Sequence, residues 1–126
     1  LNMIKGIGID IIEIKRMKDA VKKYGDNFLN KVFTPRELKY CRSRRALKFP
    51  ELAVRFAAKE AYSKAIGTGI TGFGRKQNGI SWQEIEVVNE KSGKPRLTVR
   101  GKLSKKAHVS LSHSRDYAVA SVYVEN

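Results

Sequence analysis

The sequence predicts a single α+β domain over residues 1–126, and three observations carry that prediction. A chain of 126 residues suits one domain with its own core and is short for two. Its elements fall in the order strand, helices, strands, where a doubly wound sheet would alternate them. Between Pro50 and Ile66 runs the longest helical pattern of the chain, and two strand pairs around turn signals follow it.

Residues 4–12 alternate, with Ile7, Ile9 and Ile11 on one face and Gly6, Gly8 and Asp10 on the other, which is the pattern of a strand. From Glu13 the period lengthens. Ile14, Met17, Val21 and Tyr24 follow helical spacing, and Gly25 is placed to end that helix. Thr34-Pro35-Arg36-Glu37 combines a cap residue, a first-turn proline and a glutamate three residues after the cap, so a second helix should run through Cys41. Pro50 opens the third helix, through Leu52, Ala53, Phe56, Ala57 and Ala61 to Ile66, with Gly67 as its stop. Five glycines (Gly67, Gly69, Gly72, Gly74, Gly79) then read as a mobile connection. Residues 80–88 and 96–99 flank the turn Ser92-Gly93-Lys94-Pro95, and residues 109–112 and 117–124 flank residues 113–116, giving two hairpins.

Lys and Arg number 26 against 12 Asp and Glu, a formal charge of +14. Such a field calls for an acidic partner. A hydrophobic content of 41% with one Trp, five Tyr and five Phe argues against a disordered basic tail. Cys41 is the single cysteine and closes no intrachain disulfide. With no apolar signal segment opening the sequence, this predicts a cytoplasmic protein. Cys41, His108 and His113 match no zinc-ligand spacing. No apolar run approaches the roughly 20 residues that span a bilayer.

Leu52, Phe56, Glu60 and Lys64 recur along one side of the long helix, so a carboxylate continues an apolar stripe. Two readings are open for Glu60: an exposed helix pair with Lys64, or a partly buried carboxylate needing a cation, metal or water. Asp10 lies on the strand face that Gly6 and Gly8 leave bare, where another backbone can approach closely. It is either an ordinary strand-end Asp or, if the long helix packs there, a neighbour of Glu60. Two such carboxylates would suit magnesium. Gly6-Ile7-Gly8 lacks the third glycine and helix start of a dinucleotide loop. Ser112, His113 and Asp116 suggest a hydrolase only superficially, because catalytic triads are defined in space.

Gly6-Ile7-Gly8-Ile9-Asp10-Ile11 and Phe56-Ala57-Ala58-Lys59-Glu60-Ala61 with Lys64-Ala65 resemble the holo-acyl-carrier-protein synthase family of 4′-phosphopantetheinyl transferases. Phe33-Thr34-Pro35 with Glu37-Leu38, Gly93-Lys94-Pro95 and Ser110-Leu111-Ser112-His113-Ser114 extend the likeness over essentially the whole chain. The resemblance implies the transferase fold, an antiparallel sheet with a long central helix and shorter helices. It implies transfer of phosphopantetheine from coenzyme A to a serine of an acyl carrier protein, in support of fatty acid biosynthesis. Asp10 and Glu60 match the family's magnesium ligands, and Lys64 matches a lysine beside the diphosphate. Arg55, Ser63, Gly67, Pro95, His113 and Ser114 match positions around coenzyme A. The resemblance also implies a homotrimer with sites between subunits.

An acidic carrier protein explains the basic charge better than nucleic acid does, because the basic segments carry no clear series of stacking aromatics. Arg16 with Met17 beside it is the leading docking candidate, a charge to steer and an apolar neighbour for contact. Lys22 and Lys23 follow it. Arg44, Arg45 and Lys48 suit either the carrier or the nucleotide phosphates.

Overall fold

The structure, a computed structural model, describes residues 3–44, 46–71 and 79–126. The alternating N-terminal segment forms β1 (Ile4–Glu13), and the lengthened period starts α1 (Ile14–Val32). Gly25 breaks α1 with φ 60°, but helix resumes beyond it to Val32. That extension lacks a strong local signal; burial of Leu29 (3% exposed) and Val32 (0%) draws it on, as tertiary packing commonly does for short helices. α2 (Pro35–Cys41) carries the expected capping box, with the Glu37 N–H donating to Thr34 Oγ1 and the Thr34 N–H to Glu37 Oε1. The basic segment after it folds back as a small antiparallel ladder, β2 (Arg42–Ser43) with β3 (Ala46–Leu47). Arg45 lies outside the described residues.

α3 (Phe49–Ile66) has proline in its first turn and ends on Gly67, whose left-handed conformation (φ 79°) caps it. β4 (Ile70–Thr71) pairs in parallel with β5 (Ile80–Ser81). Gly72 and Gly74 of the glycine-rich connection lie outside the described residues. The single strand expected over residues 80–88 is instead split. Glu84 Oε1 accepts the Ser81 N–H at 3.0 Å and closes a 3-10 turn over Trp82–Glu84, after which β6 (Ile85–Asn89) begins. β7 (Pro95–Val99) pairs antiparallel with β6 and with β8 (Lys102–Leu103). β9 (Ala107–His113) and β10 (Tyr117–Glu125) form the second expected hairpin.

β10 is the middle strand of an antiparallel sheet ordered β1-β10-β9, with Asp10 opposite Ala120 and Ala120 opposite Leu111. α3 crosses one face of this sheet and also meets β6. Its contact with β1 is unusually close: a Cβ on Gly6 would collide with the Ala65 carbonyl oxygen, and one on Gly8 with that of Ala61. Glycine on the strand and alanine on the helix therefore bring backbone against backbone. α3 is buried on most sides, with Leu52, Ala53, Ala57, Ala58 and Ala61 all at 0% exposure. The expected stripe climbs out of this core, from buried Leu52 through half-buried Phe56 and Glu60 to exposed Lys64. On the other face of the sheet, Ile7, Ile9 and Ile11 are 60–63% exposed.

Candidate active site

The glycine contact sets β1 antiparallel along α3, Gly6 over Ala65 and Gly8 over Ala61. Two residues further along the same strand face lies Asp10. Helical side chains lean toward the N-terminus, so Lys64 reaches back to donate to Asp10 Oδ1 at 3.0 Å and to the Ile9 carbonyl at 2.9 Å. Glu60 stands one turn before Lys64 on that face and is half-buried. Asp10 thus has a charged partner on α3 in addition to its strand-end position.

Among the described residues no cluster gathers three or more His, Cys, Asp or Glu. Asp10 and Glu60 are carboxylates, a donor type suited to magnesium, which is commonly held by one or two carboxylates with water and substrate phosphate completing its shell.

A second group lines a cleft of about 500 Å³ at the other end of α3, bounded by Tyr40, Arg55, Asn89, Pro95 and His113 among others. Arg55, matched to a phosphate contact, is only 1% exposed. Its guanidinium donates to the Glu51 carbonyl (3.1 Å), Glu51 Oε2 (3.3 Å) and Asn89 Oδ1 (2.7 Å), and lies 4.2 Å from the Tyr40 ring centroid. Nη1 and Nη2 are thus engaged within the wall, whereas Nε is buried with no hydrogen-bond partner among the described residues. His113 Nε2 stands 3.8 Å from Glu51 Oε1.

Other matched residues are tied into local structure. Ser63 is buried and donates to the Glu60 carbonyl at 2.7 Å. Gly67 caps α3 with open space where a Cβ would be. Ser114 Oγ accepts the Tyr117 N–H at 3.3 Å inside the hairpin turn. Ser112 and His113 are successive on β9 and point to opposite faces of the sheet, which separates the hydrolase candidates. Arg16, Lys22 and Lys23 are exposed on α1, whereas Met17 is 1% exposed. Met17 is a core residue and offers no docking surface, a correction to its expected role. Arg44 is exposed with φ 51°, and the Lys48 ammonium lies 5.6 Å from the Tyr40 ring centroid.

Sequence reasoning missed Tyr40, Glu51 and Asn89 on the cleft wall and the buried pair Lys59–Glu37, both side chains at 0% exposure and 2.6 Å apart. A lysine set among Ala57, Ala58 and Ala61 was the available signal. Burial pulls the Lys59 ammonium below the ordinary lysine range, and Glu37 opposes the shift. Behind Tyr40, Cys41 is fully buried, and burial pushes its thiol up to about 11.

A sequence model of the 4′-phosphopantetheinyl transferase superfamily matches residues 6–122, a span holding Asp10, the whole of α3 and the cleft. That is the class of enzyme this fold and site define. A holo-[acyl-carrier-protein] synthase of Koribacter versatilis (strain Ellin345) is 42% identical over 132 residues, covering 98% of this chain and 100% of that one. The crystal structure of a holo-(acyl-carrier-protein) synthase from Bacillus anthracis strain Ames in complex with CoA (3′,5′-ADP) is 40% identical over 98% of both chains, with a TM-score of 0.79. That of the Neisseria meningitidis synthase is 34% identical, covers 98% of this chain and 100% of its own, and gives 0.81. The chain belongs to the holo-[acyl-carrier-protein] synthase family.

Proposed function

We propose that this protein transfers 4′-phosphopantetheine from coenzyme A to a serine hydroxyl of apo-acyl carrier protein, supplying carriers for fatty acid biosynthesis, as one domain in the cytoplasm. The observation that carries the reading is the junction of Asp10 with Lys64, with Glu60 one turn away, at the rim of the β1–α3 contact. In the reaction the serine oxygen forms a bond to the phosphorus bearing pantetheine. The diphosphate bond to that phosphorus breaks, and adenosine 3′,5′-bisphosphate leaves with the electron pair. The serine proton passes to water. We assign Asp10 and Glu60 to hold magnesium, which when bound supplies positive charge against the diphosphate oxygens. Lys64 places a second fixed positive charge at the same edge, where it is worth more than a mobile counter-ion. The cleft bounded by Arg55, Pro95 and His113 takes the nucleotide end of coenzyme A, with Ser114 next to His113, while Ser63 and Gly67 lie further along α3 at the Lys64 end.

One subunit separates these two groups. Lys64 lies nine residues beyond Arg55 on α3, about 13 Å along the axis. The outer sheet face, with Ile7 opposite Tyr123 and Ile11 opposite Val119, is an exposed apolar patch of the kind that marks a protein interface. Both features support a homotrimer whose neighbouring subunits complete the substrate cleft. Outside it, exposed Arg16, Lys22 and Lys23 on α1 suit an acidic carrier protein.

The test mixes the purified protein, coenzyme A, magnesium and apo-acyl carrier protein, and reads the carrier by intact mass. A phosphopantetheine adduct is expected. No adduct on several competent carriers would reject the reading.

A further inference from the structure

Lys59 and Glu37 are buried charges with no place in the chemistry proposed above. Burying two ions brings a desolvation cost that an apolar pair of similar volume avoids, so such a pair is weak evidence for stability and its directional bonds are the more informative property. Here the direction is fully determined. An ammonium has three hydrogens to donate, and Lys59 Nζ finds three acceptors: the Val32 carbonyl at 2.6 Å, Glu37 Oε1 at 2.6 Å and the Trp82 carbonyl at 3.0 Å. The Glu37 carboxylate is anchored in turn by the Thr34 N–H at 2.9 Å and the Val87 N–H at 2.8 Å. One side chain of α3 is thereby tied to the end of α1, the first turn of α2, the 3-10 turn and β6.

The position of Lys59 on the helix gives this tie its consequence. At 100° per residue, Glu60 lies 100° and Lys64 about 140° around the axis from Lys59, while Ala61 and Ala65, which meet Gly8 and Gly6, lie about 200° and 240° around. The helix is held on one flank by an ammonium and on the other by backbone contact, and the Glu60–Lys64 face lies between. The glycine–alanine contact is smooth and fixes distance; it has no directional bond to resist rotation. A rotation of 10° moves a side-chain atom 6 Å from the axis by roughly 1 Å, and a misplacement of that size can cost about 100-fold in rate.

We propose that the Lys59–Glu37 pair is a positioning device that sets the rotation of α3, and so the placement of Glu60 and Lys64 against Asp10. The inference rests on the functional reading of those three residues. It assigns Lys59 and Glu37 no contact with substrate.

The test compares the wild-type chain with Lys59→Met/Glu37→Gln, which removes both charges together while Gln retains an oxygen for a backbone N–H. Thermal midpoint, calorimetric affinity for coenzyme A with and without magnesium, and transfer kinetics normalised to coenzyme A-binding sites are measured on each. The double variant is expected to melt cooperatively and bind coenzyme A without magnesium within about threefold of wild type. Its kcat should fall about 100-fold at nearly unchanged KM for the carrier, and the gain in coenzyme A affinity on adding magnesium should shrink. A purely structural pair would lower the midpoint but leave kcat per binding site and the magnesium gain intact. That result overturns the inference. If the double variant does not fold, Glu37→Asp keeps both charges and shortens the arm, and the same split in kcat decides in either direction. A wild type that transfers nothing sinks the functional reading and this inference together; an active wild type matched by its variants sinks the inference alone.

Discussion

Lys64 of α3 bonds Asp10 of β1 at 3.0 Å across the edge of a contact in which helix and strand backbones touch. The lysine side chain is 52% exposed and the aspartate 18%, so solvent screening keeps the pair's own contribution to stability within about 1 kcal/mol. In the proposed function the pair matters through electrostatic placement, a fixed cation and a fixed anion where the diphosphate and magnesium are proposed to bind.

Replacing either carboxylate should separate activity from stability. Asp10→Ala and Glu60→Ala are expected to lower kcat at least 100-fold, a loss typical of removed electrostatic machinery, with a thermal midpoint near that of wild type. Lys64→Met should lower kcat less, by roughly 10-fold to 100-fold, and raise the magnesium concentration needed for half-maximal rate. Steady-state assays over a magnesium titration, alongside thermal melts, check all three. Near-normal turnover of Asp10→Ala at limiting magnesium would remove it from the site.

Gly8 should tolerate no side chain. Its Cβ would strike a backbone carbonyl, which cannot rotate away as the end of a long side chain could. Gly8→Ala is expected to destabilise by about 1–3 kcal/mol or more as β1 is pushed off α3. The separation also draws Asp10 away from Lys64, so the folded fraction should turn over more slowly. Chemical denaturation gives the first quantity and a site-normalised rate the second.

Cys41 links stability to alkaline pH. Its thiol sits at about 11 in the folded chain against 9.0 for an unperturbed one, because burial disfavours the thiolate. The folded state therefore keeps its proton where the unfolded state loses it. Stability is fully present below pH 9 and falls as pH rises through about 11, by up to about 3 kcal/mol. Denaturation curves at pH 8 and pH 11 should show a larger loss for wild type than for Cys41→Ala. The same burial should leave Cys41 inert to iodoacetamide at pH 8 until urea is added.

Much of this architecture was legible in the sequence because it is written locally. Thr34, Pro35 and Glu37 announce α2 through bonds within one turn, and Pro50 and Gly67 bracket α3. The alternation of β1 placed Asp10 on the glycine face, where α3 then packs. What escaped depends on partners distant in sequence. Helix resumes after Gly25 because Leu29 and Val32 find the core, and the strand expected over residues 80–88 breaks because Ser81 and Glu84 bond each other first. Met17 and Arg16 are neighbours in sequence, but one helical step carries Met17 into the core. Lys59 shows an alanine-rich setting in sequence, but its three acceptors come from positions 32, 37 and 82.

The isoleucine face of β1 should govern assembly. Ile9 is 61% exposed opposite Ser121 and takes no part in the glycine contact with α3, so Ile9→Lys leaves the subunit core unaltered. If the chain forms the proposed trimer, light scattering is expected to shift from the trimer mass toward the monomer, with the midpoint falling as the linked association is lost. If transfer needs the neighbouring subunit's cleft, activity per chain should fall with the trimer fraction and recover as protein concentration rises. An unchanged mass for Ile9→Lys would show that this face does not carry the assembly.

Docking on α1 should divide between two adjacent residues. Arg16 is exposed and Met17 is in the core. Arg16→Ala should leave the melting curve nearly unchanged and weaken carrier association, chiefly through a slower, salt-sensitive on-rate, while coenzyme A affinity stays constant. Met17→Ala should cost about 2–5 kcal/mol as a buried large-to-small change, and its on-rate, corrected for folded fraction, should match wild type. Stopped-flow association at two salt concentrations distinguishes the pair. An Arg16→Ala variant that alters only coenzyme A affinity would place this arginine at the nucleotide and move the carrier's footprint off the first turns of α1.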